Sequence, residues 1–103
     1  LSKIVSVAAG TTQTILFNAT GAKRTSASNS GKPTITIIIA GGATATVSTR
    51  TAEGGTAVAV ASGNLSGTIS SSKSDVLEGS IHSIDVTAAV APVTVEIAFP
   101  ETI

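Results

Sequence analysis

The chain reads as an all-β domain, an antiparallel β-sandwich of immunoglobulin-like or jelly-roll type with about eight strands. Three observations predict this. Eleven Ile and ten Val stand against four Leu, a palette of β-branched side chains that pack well on a pleated sheet and lose rotamer freedom in helices. Sixteen Thr and fourteen Ser push the same way. Short runs of alternating apolar and polar residues recur between Gly-rich turns at the spacing of a sandwich or barrel. At 103 residues the chain has the length of one domain, spanning 1–103. Its 27 Ile, Leu, Val and Phe residues exceed the level of a disordered chain.

The alternation places strands at residues 2–8, 12–18, 33–40, 43–50, 56–61, 65–70, 80–87 and 93–99. The first, in "LSKIVSVAAG", has too short an apolar part for a signal peptide. After the second comes "ATGAKRTSASNSGK", residues 19–32, small, polar and locally basic. It is read as a long surface loop and, at that length, as a candidate binding arm. "KPTITIIIAGGATATVSTR" then reads as a hairpin, with Ile35, Ile37 and Ile39 inward and Gly41-Gly42 supplying the positive φ values of a two-residue turn. Ile38 is the apolar exception on its threonine side.

Glu53-Gly54-Gly55 and Ser62-Gly63-Asn64 punctuate the next two strands. In "SSKSDVLEGS" Ser72 stands three before Asp75, with a Gly to close, which predicts one capped helical turn over 71–80. In "IHSIDVTAAV" the expected inward residues are Ile84 and Val86, with Ile81 covering the sheet edge. The last strand alternates cleanly between Pro92 and Pro100, with Val93, Val95, Ile97 and Phe99 inward.

Composition narrows function. There is no Trp or Tyr, and Phe17 and Phe99 are the only aromatics. Sugar platforms and nucleic-acid stacking surfaces lean on aromatic faces, so neither is expected. With no Cys there is no disulfide framework, which favours assembly inside a cell. No apolar run approaches the ~20 residues of a membrane span, and no membrane partner is expected. The formal charge of zero hides an asymmetry. Residues 1–50 carry five cations and no acid, while residues 51–103 carry six acids and only Lys73. Interleaved strands would neutralise these locally; left unneutralised, they would make a two-signed docking surface.

Catalytic patterns are absent. His82 is the only histidine, and a metal site needs several converging ligands. A triad through Asp85 fails because three residues along a strand is the opposite face, and no G-x-S-x-G elbow exists. The Gly31-Lys32 pair lacks the spaced first Gly and the following hydroxyl of a phosphate loop, since Ser26 and Pro33 stand there. The chain is therefore read as no enzyme, with no cofactor and no metal. Asn18-Ala19-Thr20 and Asn64-Leu65-Ser66 match the N-glycosylation pattern, a frequent coincidence in a Ser/Thr-rich chain. Thr-x-Thr pairs at Thr34/Thr36, Thr44/Thr46 and Thr49/Thr51 are too irregular for a water-ordering threonine ladder. Lys23, Arg24 and Lys32 make a basic loop, too small for nucleic acid without aromatics but suited to an acidic patch on a protein.

From Thr46 onward, "TVSTRTAEGGTAVAVASGNLSGTISSSKSDVLEGSIHSIDVTAAVAPVTVEIAF", residues 46–99, resembles small β-sandwich structural proteins of tailed bacteriophage virions. The likeness lies in an acidic-Gly-Gly turn after a Ser/Thr-ended strand, a short "TAVAVASG" strand, the Asp75-Val76-Leu77-Glu78-Gly79 loop, and the closing "IDVTA" and "VTVEIA" strands. Such sequences often carry Trp or Tyr just after the turn, where Thr56-Ala57 stands here. The resemblance implies a capsid decoration (cement) protein, or a related tail or fibre component, located on the virion and assembled in the host cytoplasm. Its partner would be the major capsid protein or another virion protein, and it would be present as a homo-oligomer or in many copies. The alternative is an immunoglobulin-like interaction module of a phage tail, fibre or larger surface protein. The residues expected at the partner contact are Lys23, Arg24, Lys32 and Ile38, with Ile4 and Ile103 at the apolar termini.

Overall fold

A computed structural model describes residues 2–16, 18–19, 22–23, 33–77 and 81–99. Ten strands follow in chain order: β1 Ser2–Val7, β2 Thr12–Leu16, β3 Asn18–Ala19, β4 Ala22–Lys23, β5 Thr34–Ile38, β6 Thr44–Arg50, β7 Val58–Ala59, β8 Lys73–Val76, β9 Ser83–Ala89 and β10 Val93–Ala98. Eight of them form two four-stranded antiparallel sheets, β1-β10-β5-β8 (sheet A) and β2-β9-β6-β7 (sheet B). The remaining pair, β3-β4, is a two-residue ladder that starts at Asn18, the last residue of the expected 12–18 strand, and otherwise lies in the 19–32 segment expected to be a loop.

The pairings β1 with β10, β2 with β9, β5 with β8 and β6 with β7 nest inside one another. A long hairpin wound around itself gives this order, which is that of a jelly roll. The immunoglobulin order, with its ABED and CFG sheets, is not what forms.

Residues 32–50 therefore do not make a hairpin. Gly41 and Gly42 do adopt φ of +65° and +77°, and Ala43 N–H donates to the Ala40 carbonyl at 3.2 Å. Yet β5 and β6 belong to different sheets, and the turn is a corner between them. β5 is already paired on both sides, by β10 and β8, and Ser72 Oγ accepts from Ile39 N–H at 2.9 Å just beyond the β5–β8 ladder. The stretch expected to be a helical turn is edge strand β8. The expected strand over 65–70 is a series of turns, with one bridge from Ile69 to Ala45. It still delivers Leu65 and Ile69 to the core. The 56–61 strand shrinks to β7, and 80–87 shifts to β9.

The core lies between the sheets. Sheet A contributes Val7, Ile35, Ile37, Val93, Val95 and Ile97; sheet B contributes Ile15, Ala45, Val47, Ile84, Val86 and Ala88. Phe99, Leu77 and Ile81 close one end. The inward alternation expected of 93–99 and of Ile84 and Val86 holds, and Ile81 is itself buried. Each fully buried Val or Ile contributes roughly 1.5–3 kcal/mol by leaving water. On the β1–β2 side the seam is tied by Lys3, whose Nζ donates to the Leu16 carbonyl at 3.0 Å. Partial burial there holds the ammonium below its ordinary pKa.

One backbone position is strained. Val90 has φ +74°, the only positive φ among the described non-glycine residues, and it lies between Ala89 O and Ala91 N, which bond at 2.9 Å. This is the rare, strained form of γ-turn, here with a β-branched residue at its centre. Strain of this kind costs on the order of 1–3 kcal/mol, against about 0.5–1 kcal/mol of extra chain entropy for glycine. Val90→Gly is therefore expected to stabilise the domain by about 1 kcal/mol, read as a raised Tm. An unchanged or lowered Tm contradicts the strain.

Candidate functional site

Strand alternation and register build the outer face of sheet A. β1 presents Ser2, Ile4 and Ser6; β10 presents Thr94, Glu96 and Ala98; β5 presents Thr34, Thr36 and Ile38; β8 adds Ser74 and Val76. Across the strands, Ile4, Glu96, Thr36 and Ser74 form one row, and Ser6, Thr94 and Ile38 the next. Ile4 is 66% exposed, Ile38 43% and Val76 37%. Half of the six exposed large hydrophobics among the described residues thus share one face. Among the described residues Glu96 is its only charge. Such a surface loses little by desolvation and has three apolar side chains to offer, and low charge is what it shares with the centre of a protein interface.

Of the residues expected at the partner contact, Ile4 and Ile38 share this face, on the two strands flanking β10 and in adjacent rows, roughly 12 Å apart at sheet spacing. Lys23 lies on β4, its backbone paired with Asn18. Its side chain, Arg24, Lys32 and Ile103 lie outside the described residues. Val76 was missed, since its stretch reads as a helical turn. The signal that finds it is the register, in which Val76 pairs with Thr34.

The outer edge of β8 is blocked against a further strand. Asn64 Nδ2 donates to the Ser74 carbonyl at 3.0 Å, and Val76 N–H donates to Asp75 Oδ1 at 2.8 Å. Two outward backbone groups of this edge are thus engaged by side chains, which makes it a poorer template for an added strand. The face, rather than this edge, is what remains for a partner. The same bond engages the amide nitrogen of the Asn64-Leu65-Ser66 glycosylation pattern. The other pattern, at Asn18, extends outside the described residues.

The outer face of sheet B is organised differently. Asp85 on β9 accepts from Arg50 Nη2 at 2.7 Å, from Arg50 Nε at 3.2 Å and from Thr14 Oγ1 at 2.8 Å. Arg50 Nη1 also donates to the Gly55 carbonyl, tying the turn after β6 to the sheet. This joins a cation of the first half to an acid of the second, the local neutralisation that interleaved strands predict. The Arg50 hydrogen bond, reinforced by that from Thr14 and opposed by partial desolvation, holds the Asp85 carboxyl below its ordinary pKa. A depressed folded-state pKa adds stability above the unfolded value of about 3.9, and that stability is lost as pH falls through the folded value. Unfolding free energy is thus expected to drop below about pH 4. In Asp85→Asn this component is missing, so the variant is less stable at neutral pH and flatter in acid, as denaturant titrations across pH would record.

Among the described residues, His82, Ser83 and Asp85 assemble no relay. His82 Nδ1 lies 3.1 Å from Ser83 Oγ, but Ser83 is fully buried and its hydroxyl is closed to a substrate. Asp85 is committed to Arg50 and Thr14. Thr34 and Thr36 face outward on sheet A while Thr44 and Thr46 face outward on sheet B, so the threonine pairs lie on opposite sides of the domain. Comparison with protein-family models and with curated proteins finds no match to this chain.

Proposed function

We propose that this domain is a non-enzymatic structural protein of a phage virion, a capsid decoration protein that lays the outer face of sheet A on the major capsid protein and stabilises the head shell. The observation that carries the reading is the face itself: Ile4, Ile38 and Val76 exposed on rows of Ser and Thr, with Glu96 the only charge among its described residues. The likeness of residues 46–99 to virion sandwich proteins points to the kind of partner. The jelly-roll order is one that viral capsid domains use, a support by analogy of fold alone. It also weakens the alternative of an immunoglobulin-like module.

The test mixes the purified domain with shells assembled from the major capsid protein encoded alongside it, followed by sedimentation. The expected result is saturable binding at a fixed number of copies per shell, with a raised shell melting temperature. Failure to sediment with shells, at any ratio, overturns the reading.

A further inference from the structure

The register shows which backbone groups lie open at the sheet edges. In an antiparallel ladder, residues directly opposite each other turn their N–H and C=O either both toward or both away from one another. The Ser74 carbonyl points out of sheet A, to Asn64, so Thr36 opposite it points toward β10. Glu96, opposite Thr36, then points toward β5, and Ile4, opposite Glu96, points away from β10. By alternation Ser2, Ile4 and Ser6 all turn their N–H and C=O to the outer edge of β1. Among the described residues no backbone group bonds to them there. The same reasoning applies to β2. Ala88 N–H donates to the Thr11 carbonyl at 3.0 Å, toward β2. Ser83 has the opposite parity, so Leu16, which stands opposite it, turns its carbonyl to the outer edge of β2.

Lys3 sits where these two edges meet. It is half-buried and stands opposite the fully buried Ile97, on the core-facing row of β1 with Val5 and Val7. Its Nζ donates to that Leu16 carbonyl at 3.0 Å, reaching from the edge of one sheet to the edge of the other. A lysine on the core side of an edge strand reaches water past that edge.

The strand is otherwise suited to pairing with a copy of itself. Set antiparallel with Ile4 opposite Ile4, Ser2 meets Ser6 and Ser6 meets Ser2, and all three residues offer their open groups to each other. Lys3 falls opposite Val5, so no like charges oppose. The obstacle is the ammonium. An added strand makes β1 an interior strand and shuts Lys3 away from water between the sheets, a costly place for a charge. Inward-pointing charges on edge strands prevent pairing in this way. The other edge of sheet A is engaged by Asn64 and Asp75 side chains, and β7 is only two residues long.

We propose that Lys3 guards the β1 edge, keeping this strand from pairing antiparallel with β1 of a second copy. The inference goes beyond the proposed function, because it concerns the edge of sheet A and holds whether or not its face meets a capsid.

Sedimentation velocity of the purified domain over a concentration series tests it, with circular dichroism and Tm checking that each variant folds. The wild type and Lys3→Arg are expected to stay monomeric. Lys3→Val, which puts a strand former in place of the charge, is expected to dimerise, with affinity raised on the order of tenfold or more. Lys3→Thr, which is smaller, should shift the same way. Adding Ser6→Pro to Lys3→Val should restore the monomer. It removes an outward donor and leaves the β10 ladder and the Ile4 side chain in place, and proline is tolerated on an edge strand at such a position. Lys3→Val and Lys3→Thr that both stay monomeric at the highest concentration overturn the proposal. So does a Lys3→Val/Ser6→Pro variant that associates like Lys3→Val, or a wild type whose dimer is lost with Ser6→Pro.

Discussion

Replacing Ile97 with alanine is expected to lower the unfolding free energy by about 2–5 kcal/mol. Ile97 is fully buried on β10, an interior strand of sheet A, where it pairs with Lys3 on one side and Ile35 on the other. The core around it is built mostly of stiff β-branched residues. Such a wall cannot collapse far into the space left by three missing carbons, so the cavity penalty adds to the lost transfer energy. For a domain of ordinary stability, about 5–15 kcal/mol, this removes a large fraction, and Tm should fall by about 10 °C or more. Ile38→Ala, on the outer face of the adjacent strand, is the contrast: a change within about 0.5 kcal/mol. Equal effects from the two would contradict the inward and outward assignment.

The second large effect is expected at Gly63. A Cβ there would lie 2.5 Å from Asp75 Oδ2, on a backbone with φ +89°. The carboxylate cannot swing away freely, because it accepts from the N–H groups of Asn64 and Val76. Gly63→Ala therefore adds left-handed backbone strain of roughly 1–2 kcal/mol to the loss of hydrogen bonds worth roughly 1 kcal/mol each. The two sources separate in a double-mutant cycle. With Asp75→Ala already present, Gly63→Ala should cost only the backbone strain, giving a coupling of about 2 kcal/mol between the sites. Strict additivity in denaturant titrations would show that the carboxylate is not what Gly63 accommodates.

The class of fold and the inward face of most strands were legible in the chain. β-branched composition and period-two alternation are local signals, and they hold at 34–38, 44–50 and 93–98. What was not legible depended on which strands meet. The turn at Gly41-Gly42 has the same local geometry whether the next strand pairs with the last or crosses to the other sheet, so the hairpin reading failed although the turn chemistry was right. The 71–80 stretch misled for a related reason. Ser72 and Asp75 have the spacing of a helix cap, but the Ser72 hydroxyl goes to Ile39 and the Asp75 carboxylate to the edge of its own strand and to Asn64. Polar side chains that cap locally in one context close a sheet edge in another.

The proposed docking face was legible only in part. Ile38 breaks the polar alternation of its strand, and that irregularity marks it. Ile4 drew notice for its place near the terminus, and only the β1-β10-β5 register puts it on the same face as Ile38. Val76 and the Arg50–Asp85 pair required the register as well, since 35 residues separate Arg50 from its partner. Nothing in "TAAVAPVT" distinguishes Val90 from its neighbours.

Capsid-shell binding by Ile4→Asp/Ile38→Asp, measured beside its Tm, is the most direct test of the claim that the outer face of sheet A is the docking surface. Both side chains point to solvent, so the double variant should melt close to the wild type. Two carboxylates buried against a partner without counter-charges should remove binding altogether. Shell binding that persists at wild-type affinity would contradict the assignment of this face.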